Sequence, residues 1–197
     1  MDKFEFYKEL YHKENERRLT IEQGDLSIPI AIVTALSTAL FFLFTTFNYQ
    51  INFILTSFFL IGISSLVITL SLAIYNIIKA FGGLSNGQYE YEGLSYPNAL
   101  ETWYKDLEKY YADDKDSNVS QIFKEHLLSS IIAHTSYNME TNDKKKGFIH
   151  QSKRYIILGL IITIFSIVPY SINYFMKSPK NINAVETNVI KDNKCKN

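Results

Sequence analysis

Charged residues are missing from two long stretches of this chain. No Asp, Glu, Lys or Arg occurs from Leu26 to Ile78 (53 residues), nor from Tyr155 to Met176. A water-soluble domain of ordinary charge usage rarely leaves such a length bare, so the chain reads as an integral membrane protein. Cysteine is almost absent: the single Cys195 excludes an intramolecular disulfide. Net charge is zero, so no global basic field points to nucleic acid, and none is expected as a partner. Proline is absent between His134 and Phe165, where a polar segment runs straight into an apolar one, and Gly147 is the only glycine before the change. Nothing there marks a helix end.

Apolar length sets the number of spans. A helix needs about 20 apolar residues to cross a hydrocarbon core. The first uncharged block is right for two crossings, parted by "TTFNYQIN" at 45–52, where Asn48, Gln50 and Asn52 carry amides and Tyr49 suits an interface. The sequence predicts span 1 at about 28–47, span 2 at about 53–80 and span 3 at about 155–175. "GDLSIPI" is expected to start span 1, with Asp25 or Ser27 as N-cap and Pro29 in the first turn. Span 1 lies behind about 25 polar and charged residues, too far in for a simple cleaved signal peptide, so it is expected to remain in the mature protein.

Basic residues near span ends give the orientation. Lys13, Arg17 and Arg18 precede span 1, Lys79 closes span 2, and Lys144, Lys145, Lys146, Lys153 and Arg154 precede span 3, while the hairpin between spans 1 and 2 carries no charge. The N-terminus and the middle region are therefore expected in the cytoplasm and the hairpin outside. Three spans place the tail outside. Its five lysines would fit the inside if span 3 were re-entrant or interfacial.

The expected fold is an all-α membrane protein with a small, mainly helical cytoplasmic domain. The divisions are a cytoplasmic amphipathic helix at 1–25, a two-span hairpin at 26–80, a cytoplasmic domain at 81–153, a third span at 154–176 and a flexible tail at 177–197. Phe4, Phe6, Tyr7 and Leu10 or Tyr11 are taken as the apolar side of the first helix. Gly-rich 81–99 is read as a linker with room for a short extended hairpin around "QYEYEG". A helix follows over 98–114, capped at or near Asn98. "DDKDSN" at 113–118 is a charged turn without the glycine and final glutamate of a calcium loop.

From Val119 the helical pattern continues until span 3 has been crossed. Ile122, Leu127, Ile131 and Ile132 form a stripe that continues as Thr135, Asn138, Asn142, Ile149 and Ser152. Amides in a buried helix seam fix register, so Asn138, Asn142, Ile131 and Leu127 are candidates for setting register against neighbouring helices or against further copies, in a homo-oligomer. Gly147, Phe148, Lys153 and Arg154 form the seam where a cytoplasmic event would reach span 3. Hydroxyls at Thr34, Ser37, Thr38, Ser57, Ser64 and Ser65 suit close helix packing or, in an oligomer, a polar pore lining.

Catalytic chemistry is hard to find. His126 and His134 could share a helix face, but no HExxH or further carboxylate ligand accompanies them. No GxSxG, phosphate loop or dinucleotide fingerprint occurs. Tyr89, Tyr91, Tyr96, Tyr104, Tyr110 and Tyr111 with Trp103 could stack a base, though at helical spacing they read as core. No catalytic residue, metal or cofactor is assigned.

The pattern of an N-terminal soluble helix, an uncharged two-span hairpin and the helix "HLLSSIIAHTSYNMETNDKKKGFIHQSKRY" leading into the last span resembles small bacterial transmembrane effectors of anti-phage defence, of the SLATT-like and Pycsar- or CBASS-associated kinds. The resemblance covers most of 5–176. It implies a bacterial inner-membrane protein that meets the lipid bilayer, takes a nucleotide second messenger or protein cue on its cytoplasmic side, oligomerises and permeabilises the membrane. The alternative is a membrane-anchored binding module, an immunity protein or sensor subunit holding a soluble partner.

Overall fold

The computed structural model describes residues 2–50, 52–82, 89–114 and 118–177. Among these the chain is all-helical, 87% helix with no strand, and three helices are long and apolar enough to cross a membrane. The elements are α1 (Lys3–Thr20), α2 (Ser27–Thr46), α3 (Phe53–Phe81), α4 (Pro97–Tyr110) and α5 (Val119–Lys177). They form two compact units, one of 1–28 with 76–150 and one of 29–75 with 151–197.

Three helix starts follow from the residues beside them. Asn52 Oδ1 accepts from the amides of Ile54 and Leu55 at 2.9 and 3.2 Å, opening α3. Asn118 caps α5 through the amide of Gln121 at 3.1 Å. α4 begins one residue earlier than expected: Pro97, whose missing N–H costs nothing at a first position, follows Tyr96, and Asn98 lies within the first turn.

Span 1 corrects the sequence reading. No cap at Asp25 or Ser27 starts it; α1 instead passes through one π-helical turn, Ile21–Asp25, directly into α2. Pro29 lacks an N–H for the carbonyl four residues back and crowds it. The wide turn just upstream shifts that register, with the Leu26 amide donating to the Ile21 carbonyl at 3.3 Å and the Ser27 hydroxyl to Gly24 at 2.8 Å. Residues 90–96 carry neither strand nor helix, and the segment is entered through Tyr89 at a φ of 66°. α5 is one helix of 59 residues through Gly147 and Pro169.

In the second unit α2, α3 and the latter half of α5 pack as a three-helix bundle. Leu43, Phe47, Phe59 and Ile63 form a core in which the rings of Phe47 and Phe59 stack at 3.9 Å. A side chain at Gly159 would meet Leu36, Leu66 and Thr69, and one at Gly62 would collide with Ser166. Missing side chains thus let the helices approach. At the hairpin, Asn173 grips the backbone of Asn48 from both sides, accepting from its amide at 3.1 Å and donating to its carbonyl at 2.8 Å. Asn173→Leu leaves both backbone groups without that partner. The expected result is faster exchange of the Asn48 amide in detergent, with the bundle retained.

Candidate functional site

Two helices and one non-helical segment build a polar junction inside the first unit. α1 presents Arg17 and Arg18 three and four residues beyond Glu14, on its side of the helix, and the π-turn adds Glu22 four residues beyond Arg18. α5 presents Asn138, Asn142 and Lys145 at the same spacing. Contacts run in step along both helices, Asp2 to Lys124, Glu14 to Asn142, Glu22 to Lys145, so α1 and α5 lie parallel. Residues 89–96 lie against this pair.

Asn142 is the centre. It is 0% exposed, donates to the carbonyl of Glu14 at 3.0 Å and to its carboxylate at 2.9 Å, and accepts from the Tyr91 hydroxyl at 2.8 Å. Asn138 holds the backbone of Glu92, accepting from its amide at 2.9 Å and donating to its carbonyl at 2.7 Å. The Glu92 carboxylate reaches His134 Nδ1 at 3.0 Å. Two cations approach the Tyr91 ring: the Arg18 guanidinium is 4.3 Å and the Lys145 ammonium 4.2 Å from its centroid. Glu22 faces both, at 3.3 Å from Arg18 and 3.6 Å from Lys145. The Glu14 carboxylate, 4% exposed as a residue, also meets Arg17, which pairs with Asp143.

Burial sets the protonation of this cluster. The Tyr91 hydroxyl is pushed up to about 12, by burial first and then by the charge of Glu22. Lys145 is held below the ordinary lysine value by burial, against the attraction of Glu22. A tyrosine whose folded pKa is raised stabilises the fold fully below its unfolded value, about 10, and loses that contribution as pH rises through the folded value. Unfolding midpoints should therefore fall between about pH 10 and 12, and Tyr91→Phe should flatten that part of the decline.

The candidate residues named from sequence distribute as follows. Ile131, Asn138 and Asn142 are buried and Leu127 is half-buried, with both amides engaged within the chain. Gly147, Lys153 and Arg154 are exposed. Phe148 is half-buried, its ring edge-on to Tyr89 at 5.4 Å and under the Lys79 ammonium at 5.4 Å. Thr34, Ser37, Thr38 and Ser64 are exposed, and Ser57 and Ser65 are half-buried. The first three hydroxyls donate to their own helix at 2.8–3.0 Å, so they can face an apolar medium. The close interhelical approaches in the bundle use Gly62, Gly159 and Ser166 instead. The apolar side proposed for the first helix is half-buried at Phe4, Tyr7, Leu10 and Tyr11 and exposed at Phe6; the fully buried residue of α1 is Glu14.

Sequence reasoning missed Lys145, Glu14 and Glu22. Lys145 was counted with its neighbours as a topology charge, yet it is 2% exposed, while Lys144 is exposed and pairs with Glu140 at 2.7 Å. Its position seven residues beyond Asn138 and three beyond Asn142, on the same helix face, was the available signal. Among the described residues no three His, Cys, Asp or Glu groups gather as metal ligands. The glycine-rich stretch at 83–88, the acidic turn at 115–117 and the tail with Cys195 lie outside the described residues.

These features define an all-helical chain with three apolar helices, compatible with a membrane protein, and a polar unit organised around charged and amide side chains. Comparison with protein families, curated proteins and solved structures finds no match.

Proposed function

We propose that the protein is a membrane effector of bacterial anti-phage defence. It resides in the inner membrane with its N-terminus in the cytoplasm, receives an infection or nucleotide cue through the polar unit, oligomerises and permeabilises the bilayer. The observation that carries this reading is that α5 takes part in both the polar junction and the apolar bundle as one helix. The interior of the bundle is filled by side chains such as Leu36, Phe59 and Leu66, so a pore requires several copies. Outward-facing Thr34, Ser37, Thr38 and Ser64 suit its lining. An open groove of about 580 Å³ between α3 and α5, floored by Gly62, Ser65 and Ser166, suits a neighbouring apolar helix.

Reconstitution into sealed liposomes tests this. Triggered protein should release an encapsulated dye in parallel with a crosslinked ladder above the monomer; sealed liposomes under every cue would overturn it. The membrane-anchored binding module is the second reading, favoured by Tyr96 and Tyr110, which are 82% and 80% exposed at the two ends of α4. It predicts sealed liposomes and capture of a soluble partner that Tyr96→Ser with Tyr110→Ser abolishes.

Orientation has its own test. A reporter fused after Tyr49 should read outside and one at Asp114 cytoplasmic. A cytoplasmic Tyr49 reverses the arrangement.

A further inference from the structure

We propose that residues 89–96 are a releasable strap that bolts α1 to α5, with Tyr91 as the bolt, and that the first unit alternates between a dry closed junction and a hydrated open one. The proposal is independent of the defence reading.

Four observations carry it. The strap has no helix or strand of its own, and its backbone is gripped at Glu92 by a side chain, Asn138, rather than by a ladder. Its first described residue, Tyr89, holds a φ of 66°, a left-handed conformation that a tyrosine keeps only while its surroundings impose it. Beside Tyr91 lies an open cavity of about 420 Å³, lined also by Tyr11, Asn15, Arg18 and Leu19, into which the ring and strap can swing. What the strap covers is polar: Glu14, Asn138, Asn142 and Lys145 are all buried, whereas the buried aliphatic residues of α5 in this unit are Ile131 and Ile149.

That last observation sets the character of the opening. An apolar core loses the whole hydrophobic contribution when it is wetted. Ions and amides regain hydration when they are wetted, and that gain offsets most of what their mutual contacts supplied. A junction of Glu14, Glu22, Arg18 and Lys145 therefore opens at a smaller cost than an apolar core of the same size, and the strap decides which state is populated. Location gives the switch its reach. α1 leads through the π-turn into α2, the strap follows α3 in the chain, and α5 crosses the junction itself. Each of the three apolar helices is thus joined to one part of the junction.

Hydrogen exchange on the full chain in lipid nanodiscs tests this. In the parent protein, amides of 90–94 and of α1 from Glu14 to Glu22 should exchange together, faster than those of α5 from Thr135 to Ile149. Tyr91→Ala should raise exchange in both groups by roughly tenfold or more. Tyr91→Phe keeps the ring beside the two cations but lacks the hydroxyl, and should raise it less. In a Cys195→Ser background, Glu92→Cys and His134→Cys joined by a short bis-maleimide should slow exchange in α1, although no crosslinked atom belongs to α1. Loosening confined to 90–94 in Tyr91→Ala, or α1 exchange unchanged by the crosslink, would show that the strap merely covers the junction. If Tyr91→Ala does not fold, the crosslinked protein alone decides.

Discussion

Asn142→Leu should destabilise the first unit by about 2–3 kcal/mol, the range for leaving buried polar groups, one of them a carboxylate, without a hydrogen-bond partner. Leucine matches the amide in size but gives nothing to the Glu14 carboxylate and carbonyl, and nothing to the Tyr91 hydroxyl. Glu14 then keeps Arg17, at 3.4 Å, while its own side chain is only 5% exposed. The single tryptophan, Trp103, packs on Phe123 and His126 in this unit and reports its unfolding by fluorescence. The midpoint should drop by more than about 10 °C. A seam between copies would give the opposite sign, because an amide there can be replaced by leucine with stability kept and oligomer state changed. The intramolecular contacts reverse that expectation. Glu14→Leu combined with Asn142→Leu removes both the charge and its partner, and should recover most of the loss. Full stability in the single variant with an altered crosslinking ladder would return Asn142 to a contact between copies.

How much of this was legible in the sequence differs by element. The apolar helices announced themselves because charge is absent over lengths that match a bilayer. The buried face of α5 was readable through Thr135, Asn138 and Asn142 because helical periodicity holds whatever the partner is. Two features were hidden for physical reasons. The π-turn at Ile21–Asp25 depends on how a chain accommodates Pro29 inside a continuing helix, and local composition reads equally well as a cap. The junction depends on pairs far apart in sequence, such as Glu14 with Asn142 and Glu22 with Lys145. A charged residue in a basic run has the same one-dimensional signature whether it is solvated or enclosed.

Phe148→Pro should leave the protein inserted with unchanged topology while abolishing any dye admission or growth arrest that the parent causes. Proline removes the N–H that bonds the Lys144 carbonyl and places its ring against that carbonyl, which costs about 3 kcal/mol or more in a helix interior. The break falls between the polar junction, which ends with Lys145, and Ser152, where α5 is buried again in the second unit. Phe148 also holds Tyr89 and Lys79 with its ring, so Phe148→Ala is the control: it loses those contacts and keeps the helix. Activity retained in the alanine variant and lost in the proline variant identifies helix continuity, rather than the ring, as what carries the signal. Gly147→Ala supplies the opposite perturbation. A Cβ there meets nothing within 4 Å, so the substitution stiffens the helix by up to about 1 kcal/mol without a clash. It should match or exceed the parent in dye admission. A proline variant that admits dye as well as the parent would mean that α5 does not couple the two units, and the polar unit would then act as a docking surface alone.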